Sequence, residues 1–207
     1  MDPLRKEYRH STLEFNQLLL NPVDQFSVWF EEVVTNQLPD GNAMVLSTVA
    51  ENGKPSSRVV LLKQVEHGHF YFFTNYNSRK GKQLAQNPNA CLLFFWKEFE
   101  RQVRIEGLIE KISPEKSELY FKSRPFFSQI GAIVSPQSEL IQHRDELEMA
   151  IKFFEENPDK VQRPDHWGGY KLIPDYFEFW QGRENRLHDR FQYRLEAGIW
   201  TIGCLAP

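Results

Sequence analysis

The residues best placed to do chemistry are lysines and arginines that gather locally in a chain whose formal net charge is -3. Thr74-Asn75-Tyr76-Asn77-Ser78-Arg79-Lys80-Gly81-Lys82 concentrates cations in the first turn of a helix that Asn77 or Ser78 would cap. That is the wrong sign for a helix N-terminus, whose dipole prefers carboxylates. It suits a phosphate held by side chains and free backbone N–H groups together, and it also suits a solvated basic turn. In Arg58-Val59-Val60-Leu61-Leu62-Lys63 two cations bracket an apolar run. Their offset places them on opposite faces of a regular strand, where they would serve different partners unless a bulge intervenes. A buried strand with charges snorkelling from its ends has the same pattern.

A third cluster is Arg186-Leu187-His188-Asp189-Arg190. If extended, it puts Arg186, His188 and Arg190 on one face, the outer pair roughly 13 Å apart, which repels unless something anionic or electron-rich lies over them. Arginine offers a permanent planar fork and histidine a proton carrier near neutral pH. The preceding Phe177-Glu178-Phe179-Trp180-Gln181-Gly182 brings aromatic surface beside these cations, as a flat ligand needs. A solvated edge strand is the plainer reading. A fourth group, Tyr120, Arg124 and Ser128 followed by Gln137-Ser138, could converge on a second phosphate from helix ends, although each residue is also ordinary surface chemistry. Other site types fail on composition: there is no Gly-rich phosphate loop, no metal-ligand cluster and no G-x-S-x-G elbow. What the residues suggest is a phosphorylated flat cofactor and a phosphorylated substrate.

The elements that must position these groups are mostly strands. Residues 1–20 are polar and read as a mobile arm; Asn21-Pro22 opens a helix carrying Val23, Phe26, Phe30, Val33 and Val34 on one face, closed by Leu38-Pro39-Asp40-Gly41. Residues 43–50 and 57–62 form a hairpin about Asn52-Gly53, and a strand over 70–74 follows the turn at His67-Gly68. A helix over 79–86, strands over 91–96 and 102–112, and helices opening at Ser113-Pro114 and Arg124-Pro125 come next. Ser138 caps a longer helix with Leu140, Leu147, Ala150, Ile151 and Phe154 on one side, ended by Asn157-Pro158, and strands over 170–181, 188–195 and 199–205 close the chain. Phe26, Trp29, Phe30 and Phe154 are expected in the core. The pattern is that of a mainly β chain, an antiparallel barrel with appended helices, in one domain over 21–207.

The 207 residues, 41% hydrophobic and 26% charged, describe an ordinary globular chain able to bury roughly 70% of its unfolded surface. A sequence pI near 6.1 argues against a nucleic-acid coat. No apolar run has the length of a membrane span, and the first residues lack a signal peptide's apolar core. Cys91 and Cys204 make no framework or zinc spacing, so they read as reduced, buried thiols of a cytoplasmic protein.

Taken together the pieces resemble one family. R-V-V-L-L-K at 58–63, Thr74-Asn75 with Ser78-Arg79-Lys80, Glu100-Arg101-Gln102-Val103, Tyr120-Phe121 with Ser123-Arg124-Pro125, Ser128-Gln129-Ile130-Gly131-Ala132, and F-W-Q-G followed by R-L-H-D-R are similar to the pyridoxine/pyridoxamine 5′-phosphate oxidases, from about Arg5 to Pro207. The resemblance implies an FMN-binding split β-barrel of Greek-key type, a homodimer with FMN at the interface. By position, Arg58, Arg79, Lys80, Gln137 and Ser138 would hold the FMN phosphate. Phe73, Thr74, Gln102, Trp180 and Arg190 would contact the rest of it, with Val59, Val60, Leu61 and Leu62 lining it and Lys63 beside it. Lys63, Tyr120, Arg124 and Ser128 would clamp the substrate phosphate. Arg186, Leu187 and His188 would lie against the substrate ring, with Arg186 and His188 catalytic and no metal required. Arg5, Lys6, Glu7 and Tyr8 match an R-x-E-Y arm that can close over the substrate.

The implied reaction oxidises pyridoxine and pyridoxamine 5′-phosphates to pyridoxal 5′-phosphate, with O2 as acceptor. Two departures stand out: Phe73 replaces a common Tyr, and Cys204 replaces the Arg of the usual R-L-A-P ending, removing a charge from any anion site there. The rival readings are another split-barrel flavoprotein, a non-catalytic FMN or pyridoxal phosphate carrier, and a cofactor-free β-barrel that binds a small ligand or protein, which would be colourless.

Overall fold

The computed structural model describes residues 7–207; Arg5 and Lys6 lie outside the described residues. The expected split barrel is present as one antiparallel nine-stranded sheet with helices at its margins. Helix α1 (Pro22–Thr35) starts where Asn21 Oδ1 accepts the Val23 N–H at 2.9 Å and Pro22 supplies a preset φ. It buries Phe26, Trp29 and Val33, whereas Val34, expected on the same face, is exposed. The hairpin of β1 (Ala43–Val49) and β2 (Pro55–Leu61) turns through Gly53 at φ 78°. A three-residue strand too short to show a period, β3 (Gln64–Glu66), pairs with β4 (His69–Asn75) across His67 and Gly68, both at positive φ. Then come α2 (Arg79–Gln86), β5 (Asn89–Trp96), β6 (Arg101–Lys111), α3 (Pro114–Ser123), α4 (Phe126–Val134), α5 (Asp145–Glu156), β7 (Trp167–Gln181), β8 (Asp189–Glu196) and β9 (Ile199–Cys204).

The sheet runs β2-β1-β5-β6-β7-β4-β3, and β8 with β9 branches from β7. Leu62 donates to Asn42 on the β1 side and Lys63 to Tyr71 in β4, so the chain crosses from one margin of the sheet to the other at these two residues. No ladder joins β2 to β4 among the described residues, and that seam is the split. Strand β7 reaches three neighbours because its first half pairs β4, its second half pairs β8, and β6 runs along its other edge, with an irregularity between Glu106 and Gly107 opposite Pro174. Inward residues such as Leu46, Leu92, Phe94, Val103, Ile105, Phe177 and Phe179 meet Phe26 and Phe70 in an aromatic-rich core. Full burial of such side chains contributes about 1.5–3 kcal/mol each.

Four expectations are corrected. Helix α5 begins at Asp145 with no side-chain cap, and Ser138 instead sits in a preceding turn at φ 75°, a hydrogen-bonding residue that favours turns as readily as caps. Its face is shallow, so Phe154 is only half-buried and Leu140 is fully exposed outside the helix. Cys204 is exposed at the sheet margin and Cys91 half-buried; both are free thiols. Residues 184–186 form a 3-10 turn, with Asn185 and Arg186 at φ 55° and 64°, so Arg186 does not share an extended face with His188 and Arg190. Among the described residues no helix is long and apolar enough to cross a membrane.

Candidate functional site

The seam between β2 and β4 opens into a cavity of about 590 Å3, walled by α3, α4 and the loop after α4. Lys80 is carried there by α2, whose N-terminus is fixed by Ser78 Oγ accepting the Gly81 N–H. Its Nζ donates to Thr74 Oγ1 at 2.9 Å, Ser78 Oγ at 3.1 Å and Gln137 Oε1 at 2.7 Å, all neutral acceptors. Burial, together with the charge of Arg58, pulls the ammonium down to about 8. Arg58 points to the opposite side of β2 from Val59 and donates to Leu46 O, Thr48 Oγ1 and Ser56 Oγ at 2.9, 2.7 and 2.6 Å. Gln83 Oε1 accepts from both of those hydroxyls, which fixes the fork from behind. Burial and the neighbouring Arg79 lower the Arg58 pKa. Among the described residues Arg58, Arg79 and Lys80 have no carboxylate partner. A buried ammonium held only by neutral groups is costly by itself and is stabilised by an anion.

The cavity, which Lys80 lines and Arg58 and Arg79 do not, also holds the second cation group. Arg124, kept extended by the following Pro125, brings its guanidinium over the Trp167 ring at 4.6 Å, and its Nη1 is buried without a hydrogen-bond partner. Burial lowers the Arg124 pKa and raises that of Tyr120. Tyr120 and Ser128 line the cavity from α3 and α4, and Lys63 from the crossing between strands. Phe73 stacks on Tyr120 with centroids 3.7 Å apart, so this ring serves as a wall without the hydroxyl that a Tyr would bring. Gly169 permits that approach, since a Cβ there would lie 2.8 Å from the Phe73 ring. Val59, Val60, Leu61, Thr74 and Gln137 complete the predicted part of the lining. Leu62 turns into the core, and Ser138 is exposed beside Gln137.

The remaining predicted residues gather elsewhere, on the outward face of β6-β7-β8. Gln102, Trp180 and Arg190 stand in one cross-strand row. His188 lies 4.7 Å from the Trp180 ring, and Tyr8 meets both rings edge-on at 5.7 and 5.6 Å. Gly182 makes room, as a Cβ there would sit 2.7 Å from the Tyr8 ring. His188 Nδ1 accepts the Arg183 N–H at 3.1 Å, which leaves Nε2 as the protonated nitrogen of a neutral ring. Burial, aided by Arg186, lowers its pKa and keeps it neutral near pH 7. Arg186 and Leu187 are exposed in the turn, and Glu7 pairs with Arg9. No hydrogen bond, ring contact or shared cavity joins this face to the seam within the chain, among the described residues.

Several supporting residues carried no signal of their role in the sequence, Glu100 standing out only as part of the family motif at 100–103. Glu178, 3% exposed, accepts from Arg190 at 2.9 Å and Arg104 at 2.7 Å. Glu100 accepts the backbone N–H groups of Arg9 and His10, tying residues 9 and 10 to the head of β6. Thr48 and Gln83 were findable only as polar residues at inward positions of amphipathic elements. Among the described residues there is no group of potential metal ligands.

Comparison with known proteins finds relatives along nearly the whole chain. Residues 30–156 match the family model described as pyridoxamine 5′-phosphate oxidase, and 167–207 match one described as the pyridoxine 5′-phosphate oxidase C-terminal dimerisation region. The pyridoxine/pyridoxamine 5′-phosphate oxidase of Paraburkholderia phymatum is 52% identical, covering 99% of this chain and 97% of its own, and that of Cytophaga hutchinsonii is 50% identical with the same coverage. Among solved structures, PhzG of Burkholderia lata in complex with tetrahydrophenazine-1-carboxylic acid superposes with a TM-score of 0.92 at 24% identity, covering 98% of this chain and all of that one. A pyridoxamine 5′-phosphate oxidase-related, FMN-binding protein of Nostoc punctiforme gives 0.75 at 17% identity, covering 92% of this chain and all of its own. Lengthwise identity of about half, over both the cavity and the β7-β9 region, means that this chain belongs to the pyridoxine/pyridoxamine 5′-phosphate oxidase family.

Proposed function

We propose that the protein is an FMN-dependent oxidase of the cytoplasm that converts pyridoxine 5′-phosphate and pyridoxamine 5′-phosphate to pyridoxal 5′-phosphate. The observation that carries this reading is one cavity containing both a buried Lys80 ammonium without a carboxylate and a buried Arg124 nitrogen without a partner. Two separate cation groups beside stacked rings fit two phosphorylated, flat molecules. Arg58, Arg79, Lys80, Gln137 and Ser138 would hold the FMN phosphate, with Thr74, Phe73 and the 59–62 segment along the rest. Lys63, Tyr120, Arg124 and Ser128 would hold the substrate phosphate.

The Gln102, Trp180, Arg186, His188 and Arg190 face lies in or beside the dimerisation region and away from this chain's own cavity. In the proposed homodimer it completes the partner's cavity. Bound FMN supplies a two-electron acceptor that O2 reoxidises to give hydrogen peroxide, with ammonia released when the substrate is the amine. The protein's part is to place the reacting carbon, exclude water and meet developing charge with Arg186, while His188 offers its Nε2–H. Residues 1–20 would act as the arm, Tyr8 covering His188, and 21–207 as the single catalytic domain.

The test is the visible spectrum of the FMN-loaded protein without oxygen. Pyridoxine 5′-phosphate should bleach the flavin bands, and air should restore them with pyridoxal 5′-phosphate in solution. Bands that never bleach would mean a carrier, and a protein that stays colourless with added FMN would end the flavoprotein reading.

A further inference from the structure

Trp167 opens β7 opposite Asn75 of β4, 6% exposed and outside the main core, in a small cluster with Phe121 and Ala132. Its ring is nearly parallel to those of Tyr120, at 4° and 6.2 Å, and Phe73, at 19° and 5.7 Å. The same ring carries the Arg124 guanidinium at 4.6 Å. Its backbone is pinned, with its N–H donating to Pro164 O at 3.0 Å and its C=O accepting from Arg163 Nη1 at 2.7 Å. Among the described residues nothing comparable pins the Arg124 side chain: Gln129 bonds only its carbonyl, and Nη1 has no partner.

We propose that Trp167 is the positioning residue of the substrate-phosphate clamp, a rigid platform that holds Arg124 and Tyr120 toward the cavity and so sets affinity for a phosphomonoester. The indole covers one face of the guanidinium, which a π-system favours without consuming any N–H donor. The donors at the guanidinium edge stay free for phosphate oxygens. Without the indole, Arg124 regains the rotamers of a long flexible side chain and must be ordered again at each binding event. Trp167 touches the phosphate-binding side chains and none of the residues placed at the reacting carbon, so its effect falls on binding.

The inference rests on the oxidase reading for the identity of its ligand, and the experiment separates the two. In the FMN-loaded protein, Trp167→Leu should raise KM for pyridoxine 5′-phosphate and the inhibition constant of inorganic phosphate together, by on the order of tenfold, the loss expected for a desolvated cation–π contact. The value of kcat should stay within about twofold, because interactions made equally in ground and transition states act on KM, and FMN affinity should fall less than KM rises, since Trp167 meets the FMN residues through Phe73. Trp167→Phe keeps a ring in the stack and should give about a threefold rise; if the leucine variant does not fold, this variant alone decides. Unchanged KM and phosphate inhibition in an active variant would overturn the proposal, as would FMN affinity falling in parallel with KM, the sign of a merely structural role. A wild-type protein that binds FMN but does not oxidise pyridoxine 5′-phosphate would sink the oxidase reading instead, and inorganic phosphate binding would still report on Trp167.

Discussion

Replacing Lys80 by methionine separates the cost of a buried charge from its use. The ammonium pKa is drawn from 10.5 to about 8, which corresponds to about 3 kcal/mol of destabilisation. The sign follows from proton binding. The folded chain holds this proton less tightly than the unfolded chain, so the full cost is present below pH 8 and disappears as pH rises toward 10.5. Lys80→Met relieves that cost and forfeits three hydrogen bonds, to Thr74, Ser78 and Gln137, at about 1 kcal/mol each. The ligand-free protein should therefore keep its stability within about 1 kcal/mol, a Tm change of no more than about 4 °C for a chain of this size. FMN affinity should fall about 30- to 150-fold, since a charge-assisted phosphate contact contributes about 2–3 kcal/mol. Flavin fluorescence titration and thermal unfolding of the apoprotein, both at pH 7, read the two quantities independently. A variant whose apoprotein loses more than about 3 kcal/mol while FMN affinity holds would refute the reasoning, because Lys80 would then be a structural ammonium.

The same group makes FMN binding pH-dependent. Phosphate favours charged Lys80, so binding takes up a proton above pH 8, and the wild-type dissociation constant should rise toward tenfold per pH unit there and lose that rise in Lys80→Met. Arg186→Ala should lower kcat/KM by about 10²–10³ as for other lost preorganised donors, with FMN affinity unchanged, as read by steady-state kinetics and flavin titration. Glu178→Gln leaves Arg104 and Arg190 half-paired on a partly exposed face. Its unfolding free energy should fall by about 1–3 kcal/mol in urea titration.

Much of the local structure was legible because its causes are local. Ser78 and Arg79 define α2, Asn52-Gly53 defines the first hairpin, and Asn21-Pro22 starts α1, each through chemistry contained in a few neighbouring residues. The composition of the cavity was legible too, since unneutralised cations stand out in an acidic chain. Distribution in space was not. The resemblance assigns Arg186, His188 and Arg190 to one site with Arg58, yet strand order puts them on a face that, among the described residues, does not meet the cavity of the same chain. Ser138 misled because the same hydrogen-bonding capacity serves a turn and a helix cap. Trp167 and Glu178 escaped notice for a related reason. An aromatic or a carboxylate inside a strand pattern declares itself only when its cross-strand and cross-sheet neighbours are known.

The most direct test is complementation between two inactive chains. Arg124→Ala damages the cavity and Arg186→Ala the outward face, so in a homodimer with shared sites a heterodimer of the two variants contains one intact site. Co-expressed and assayed for pyridoxal 5′-phosphate formation at substrate well below KM, the pair should recover about a quarter of wild-type activity, the statistical share for a two-fold dimer, while each variant alone stays near zero. Purified heterodimers that remain as inactive as either parent would contradict an oxidase built from both halves.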